Sequence, residues 1–92
     1  MRKILIADDE RIERQGIRSL LERKDYNLEI LEASNGKEAL EIARSQKPDI
    51  LLSDIKMPFM TGLELMEKVR QFDSEMAIII FSGYSDFEYS RL

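Results

Sequence analysis

Ile50-Leu51-Leu52-Ser53-Asp54-Ile55-Lys56-Met57-Pro58-Phe59-Met60-Thr61-Gly62 is the stretch whose reading decides the fold. Its opening, preceded by Pro48, is a short and nearly continuous apolar run. That is the pattern of a strand buried on both faces inside a parallel sheet. The run ends on a carboxylate, so Asp54 is expected at the carboxyl end of a central strand, the edge where open α/β sheets bind ligands. Pro58, Thr61 and Gly62 close the stretch, and Thr61 with Glu64 has the spacing of a capping box for the next helix. Read alone, Asp54 is either a functional acid or an ordinary strand-ending turn former.

Working outward toward the amino terminus, Lys3-Ile4-Leu5-Ile6-Ala7 is a second apolar run, and it too ends on acids, Asp8-Asp9-Glu10. Ile12, Gly16, Leu20 and Leu21 then recur at helical spacing, which predicts an amphipathic helix from about Glu10 to Lys24. Asp25-Tyr26-Asn27 breaks it. Leu28–Ala33 mixes charge with branched apolar residues, as a strand nearer the sheet edge does. Asn35 and Glu38 mark another helix start. Ala39, Leu40 and Ala43 form its apolar stripe, and Lys47-Pro48 stops it.

Toward the carboxyl terminus, the helix opened by Thr61 is expected to bury Leu65, Met66 and Val69. Asp73-Ser74 is a turn, and Ala77-Ile78-Ile79-Ile80-Phe81 is a fourth apolar strand ending at Ser82-Gly83. Asp86-Phe87-Glu88-Tyr89 begins a last helix. The pattern is β-α-β-α-β-α-β with short connections. Right-handed crossovers then give an α/β doubly wound parallel sheet, with residues 1–92 as one domain.

Composition removes several classes of chemistry. The net charge is -4, with no basic block, which argues against nucleic acid as a direct partner. No cysteine is present, so disulfides and thiolate metal sites are excluded. No histidine is present either, which excludes a Ser-His-Asp triad and an imidazole-held zinc within the chain. No apolar run approaches the ~20 residues of a membrane span, and Met1-Arg2-Lys3-Ile4 lacks a signal-peptide core. A cytoplasmic domain away from membranes is the expectation.

Two buried strands end on acids. If they are neighbours, Asp8, Asp9 and Asp54 converge at one rim. Two unit charges ~4 Å apart repel by ~4 kcal/mol at an effective dielectric near 20. Such a cluster needs a cation, or one carboxylate must hold a proton. Oxygen ligands without sulfur or imidazole favour a hard ion, and few protein ligands with several waters suit Mg2+. Ser82 offers a hydroxyl at the end of the fourth strand. Each piece has a plain alternative: Asp8-Asp9 as helix caps, Ser82 as a turn residue.

Taken together, Ile6-Ala7-Asp8-Asp9-Glu10, Ser53-Asp54-Ile55-Lys56-Met57-Pro58 with Gly62, and Phe81-Ser82-Gly83 resemble the receiver domain of response regulators in two-component signalling. The resemblance runs from Lys3 to the chain end and implies a flavodoxin-like sheet in the order 2-1-3-4. It implies that Asp54 accepts a phosphoryl group from the phosphohistidine of a sensor histidine kinase. Asp9, Asp54 and the backbone carbonyl of Lys56 are implied ligands of Mg2+, with Asp8 helping through water. Ser82 is implied to hydrogen-bond the phosphoryl group and move as the switch.

The family also has a fifth strand, which ends on a lysine, and a fifth helix. This sequence is expected to be truncated before both, and neither Lys56 nor Lys68 stands in for that lysine. The Phe81–Tyr89 stretch resembles receivers joined to helix-turn-helix domains, which implies a DNA-binding output domain in the parent protein. An aspartyl-nucleophile phosphohydrolase fits less well, because Lys56 stands where its general acid belongs. A doubly wound nucleotide-binding domain is disfavoured by acids in place of a glycine-rich loop after the first strand. A receiver-fold interaction module without phosphorylation competence is the third alternative. The apolar, uncharged fourth strand leads to a further expectation, a dimer or higher assembly of the chain.

Overall fold

In the computed structural model, which describes residues 1–24 and 27–82, β1 (Arg2–Ala7), β2 (Leu28–Ala33), β3 (Ile50–Asp54) and β4 (Ala77–Phe81) form one sheet. Its order is β2-β1-β3-β4 and every pair is parallel. Helices α1 (Arg11–Arg23), α2 (Gly36–Gln46) and α3 (Gly62–Arg70) connect the strands. The expected doubly wound sheet is therefore observed, with β3 in its interior and Leu28–Ala33 on an edge.

Register fixes the faces. Leu5 lies beside Leu31 and Leu51, and Leu51 beside Ile78. These residues point to the face covered by α2 and α3, whose Ala39, Ala43, Leu65 and Val69 complete the core. Alternation sends Glu32 to the opposite face, where Arg14 and Arg18 of α1 meet it at 2.9 and 2.8 Å. Met66 is half-buried beside Leu65 and Val69, as its position in the stripe requires.

Local chemistry explains the helix limits. Asn35 caps α2 by accepting the Glu38 backbone N–H, and Thr61 and Glu64 form the full capping box of α3. Lys47 ends α2 in the left-handed region at φ 48°, immediately before Pro48. The Asp73 side chain accepts the N–H groups of Glu75 and Met76 and so builds the expected turn.

The apolar stripe of α1 needs correction. Ile12 is 85% and Leu20 52% exposed, and no residue of this helix is fully buried. The sheet side carries Glu13, Arg14, Ile17, Arg18 and Leu21, all half-buried. The two arginines decide the rotation, because their long stems cover the sheet while their heads reach Glu32. Asp25 and Tyr26, and the final helix expected at Asp86–Tyr89, lie outside the described residues.

Candidate functional site

Pairing of Ala7 with Ser53 carries β1 and β3 to the rim side by side. The next residues are Asp8, fully buried, and Asp54, 4% exposed. The Asp8 N–H continues the ladder by donating to the Ala33 carbonyl at 3.1 Å, and Arg14 Nη1 holds the Asp8 carbonyl at 2.7 Å. Asp8 Oδ1 accepts the Glu10 N–H at 2.9 Å, whereas Oδ2 is buried with no hydrogen-bond partner. Asp54 Oδ1 accepts the Lys56 N–H at 3.3 Å.

The structure brings Asp8 and Asp54 together with a residue that sequence reasoning missed. Carboxylate oxygens of Asp8, Glu13 and Asp54 all lie within 4.8 Å of one another. Glu13 stands in the first turn of α1, which starts directly behind the acid pair. Its signal in the sequence is position alone: a carboxylate one turn after Asp9 returns toward the rim. Asp9 is exposed and lies outside this trio, although its charge acts on both Asp8 and Asp54.

Crowding among the acids raises their proton affinity. Burial first, then the charges of Asp8 and Asp9, pushes Asp54 up to about 6. Burial, followed by the charges of Asp8 and Asp54, pushes Glu13 up to about 7. Asp8 is raised by burial as well, opposed by the N–H of Glu10. A buried oxygen without a donor, inside an oxygen-only set of acids, fits a hard divalent cation such as Mg2+.

The loop after Asp54 is tightly constrained. Ile55 N–H donates to the Phe81 carbonyl at 2.8 Å, and Gly62 N–H donates to the Ile55 carbonyl at 2.9 Å. Phe59 adopts φ 70° and is fully exposed, while Met60 folds against Gly36 at the start of α2. A half-open cleft of about 490 Å³ lies between these two loops, with Asp9, Lys37 and Phe59 on its walls. Lys56 is exposed in the same loop. Ser82 is exposed too and follows Phe81, the register partner of Asp54, so it stands at the same rim.

The family model described as response regulator receiver domain matches residues 4–91. The chain belongs to the response regulator receiver family. A transcriptional regulatory protein of Bacillus subtilis, YesN, is 40% identical over 92 residues, covering 99% of this receiver and 25% of the relative. The receiver domain of the response regulator AraT from Geobacillus stearothermophilus is 42% identical with a TM-score of 0.84, covering 98% of this receiver and 70% of that chain. A chain in the crystal structure of histidine kinase ThkA in complex with response regulator protein TrrA is 33% identical, with a TM-score of 0.78. There the match covers 91% of this receiver and 71% of that chain. The receiver spans 25–36% of the length of the curated relatives it matches. Receivers are signalling domains of two-component systems. Among the described residues no helix is long and apolar enough to cross a membrane.

Proposed function

We propose that Asp54 is the phosphoacceptor of this receiver and takes a phosphoryl group from the phosphohistidine of a partner sensor histidine kinase. The observation that carries this reading is the burial of Asp54 at the end of a central strand, with a carboxylate oxygen within 4.8 Å of one on the buried Asp8. Asp9, Asp54 and the backbone carbonyl of Lys56 would hold Mg2+ in this proposal, with Asp8 helping through water. When bound, Mg2+ neutralises the anionic phosphoryl group and the attacking carboxylate together.

The rest of the work falls to the chain. One Asp54 carboxylate oxygen attacks phosphorus, and the bond from phosphorus to the partner's imidazole nitrogen breaks. The electron pair of that bond stays on the imidazole, and the product is an aspartyl phosphate. Asp54 attacks from a fixed position, because β3 pairs on both sides and the Lys56 N–H orients one of its oxygens. Ser82, one residue beyond the register partner of Asp54, supplies a hydroxyl that hydrogen-bonds the transferred phosphoryl group and moves with it.

Residues 1–92 act in this reading as a single receiver unit of a cytoplasmic regulator. The parent protein carries a DNA-binding output domain, supported by the length and the transcriptional role of relatives such as YesN. Intact-mass measurement after treatment with a small phosphodonor and Mg2+ tests the acceptor. One added phosphoryl group in the native chain and none in Asp54→Asn is the expected result. Equal labelling of both rejects Asp54. No labelling of either favours a receiver-fold interaction module without phosphorylation competence.

A further inference from the structure

We propose that Glu13 is a direct carboxylate ligand of the divalent cation at this rim, a fourth acid beside Asp8, Asp9 and Asp54. The inference rests on the cation reading above and deepens it.

Geometry is the first support. Oxygens bound to one Mg2+ at its usual bond length lie about 3 to 4 Å apart, depending on whether they are adjacent or opposite. The carboxylate oxygens of Asp8, Glu13 and Asp54 already lie within 4.8 Å of one another.

The orphaned oxygen is the second. Asp8 is fully buried and its Oδ2 has no hydrogen-bond donor. A buried carboxylate oxygen left unpaired is costly, so the arrangement calls for a proton shared with a neighbouring acid or for a cation. Arg14 does not supply it: its guanidinium is committed to the Asp8 backbone carbonyl and to Glu32.

The placement of Glu13 is the third. An acid in the first turn of a helix is ordinarily explained by the helix dipole, and solvent exposure satisfies that role. Glu13 is instead half-buried and turned toward two other carboxylates. Carboxylates brought this close need a shared proton or a cation between them, and a divalent ion at this rim takes the place of the proton.

An additional carboxylate leaves fewer waters on the ion and adds negative charge to the site. Tighter binding follows, with Ca2+, which takes more oxygen ligands, competing better than at a site with fewer acids. Titration of the 92-residue chain with Mg2+, followed by amide NMR, is the test, run on the native sequence, Glu13→Gln and Glu13→Asp. Glu13→Gln is expected to weaken Mg2+ by at least about tenfold, the scale on which groups ordering a metal site act.

Mn2+ added below stoichiometry to the native chain, labelled at its Glu carboxyl carbons, is expected to broaden the Glu13 resonance beyond detection at an Mn2+ level where the other Glu carboxyls, Glu10 included, remain visible. This readout does not depend on how either variant folds. A Glu13 carboxyl that stays sharp, or Glu13→Gln binding Mg2+ within about twofold of the native chain, overturns the assignment of Glu13 alone. Absence of any Mg2+ response at Asp8 and Asp54 in the native chain overturns the cation reading itself, and Glu13 falls with it.

Discussion

A β-carbon on Gly62 would overlap the carbonyl oxygen of Asp54. The first residue of α3 is thus pressed against the backbone at the end of β3, and its N–H bond to Ile55 holds it there. No glycine among the described residues has positive φ, so the need at Gly62 is for space. Gly62→Ala is expected to lower the free energy of unfolding by about 1–3 kcal/mol, as overpacking does, because the opposing atom is rigid backbone. Gly36→Ala meets the Met60 side chain at 2.7–2.9 Å, and a methionine can swing aside. Urea melts should therefore show the smaller loss for Gly36→Ala. The reverse order would mean that the loop, and not the strand end, is the rigid partner.

The raised acids set an unusual pH dependence for the metal-free chain. Glu13, held at about 7 against an ordinary 4.5, and Asp54, at about 6 against 3.8, keep their protons in the folded state where the unfolded chain has lost them. Folding then takes up protons, and stability falls as pH rises through that window. Glu32 acts the other way. Burial alone would raise it, but the hydrogen bonds of Arg14 and Arg18 hold it below 4.5, so its contribution is lost as pH falls through its folded value. Thermal melts in chelator should show greater stability near about pH 5 than near about pH 8, and Mg2+ should restore the loss on the alkaline side. Asp54→Asn and Glu13→Gln should flatten that side. A chelated chain that gains stability steadily from pH 5 to 8 would contradict the crowding of these acids.

The cap at Thr61 gives a cleaner comparison, because changing it alters none of the rim carboxylates. Thr61 accepts the Glu64 N–H at 3.1 Å, and Glu64 accepts the Thr61 N–H at 3.0 Å. Thr61→Ala removes one half of the pair and is expected to cost about 1 kcal/mol. Mg2+ affinity measured by the same NMR titration should stay unchanged. A weakened metal site in this variant would show that α3 positions Asp54 through its start as well as through Gly62.

Periodicity made most of this fold legible. The runs at Ile4–Ala7 and Ile50–Leu52 read as interior strands because both faces of a parallel sheet are covered by helices, although Ile50 and Leu52, on the face opposite Leu51, are only half-buried. The caps at Asn35 and Thr61 are local chemistry and were equally plain. The rotation of α1 was not legible. Arg14 and Arg18 count as polar in any periodic reading, yet they face the sheet to reach Glu32, a partner 18 and 14 residues away. Glu13 was hidden for the same reason, since only the meeting of α1 with two strand ends gives that acid its neighbours.

The last expectation concerns β4. Its outer edge has no partner strand among the described residues, and Ala77-Ile78-Ile79-Ile80-Phe81 holds neither a charge nor a proline. Ile79, at its centre, is 54% exposed. An unpaired, uncharged edge presents free N–H and C=O groups to any strand of matching character, and a second copy of β4 is such a strand. The 92-residue chain is therefore expected to self-associate at micromolar concentration, as sedimentation velocity would show. Ile79→Lys places a charge in the middle of that edge and should return the chain toward monomer. Its stability should change by only about 0.5 kcal/mol, because a half-exposed side chain has little burial to lose. The exposed Ile12 and Leu20 of α1 offer a competing surface. Association that survives Ile79→Lys but is abolished by Ile12→Lys with Leu20→Lys would move the contact to α1. A native chain that stays monomeric would show that this edge is protected, and the pairing of β4 with a second copy would be withdrawn.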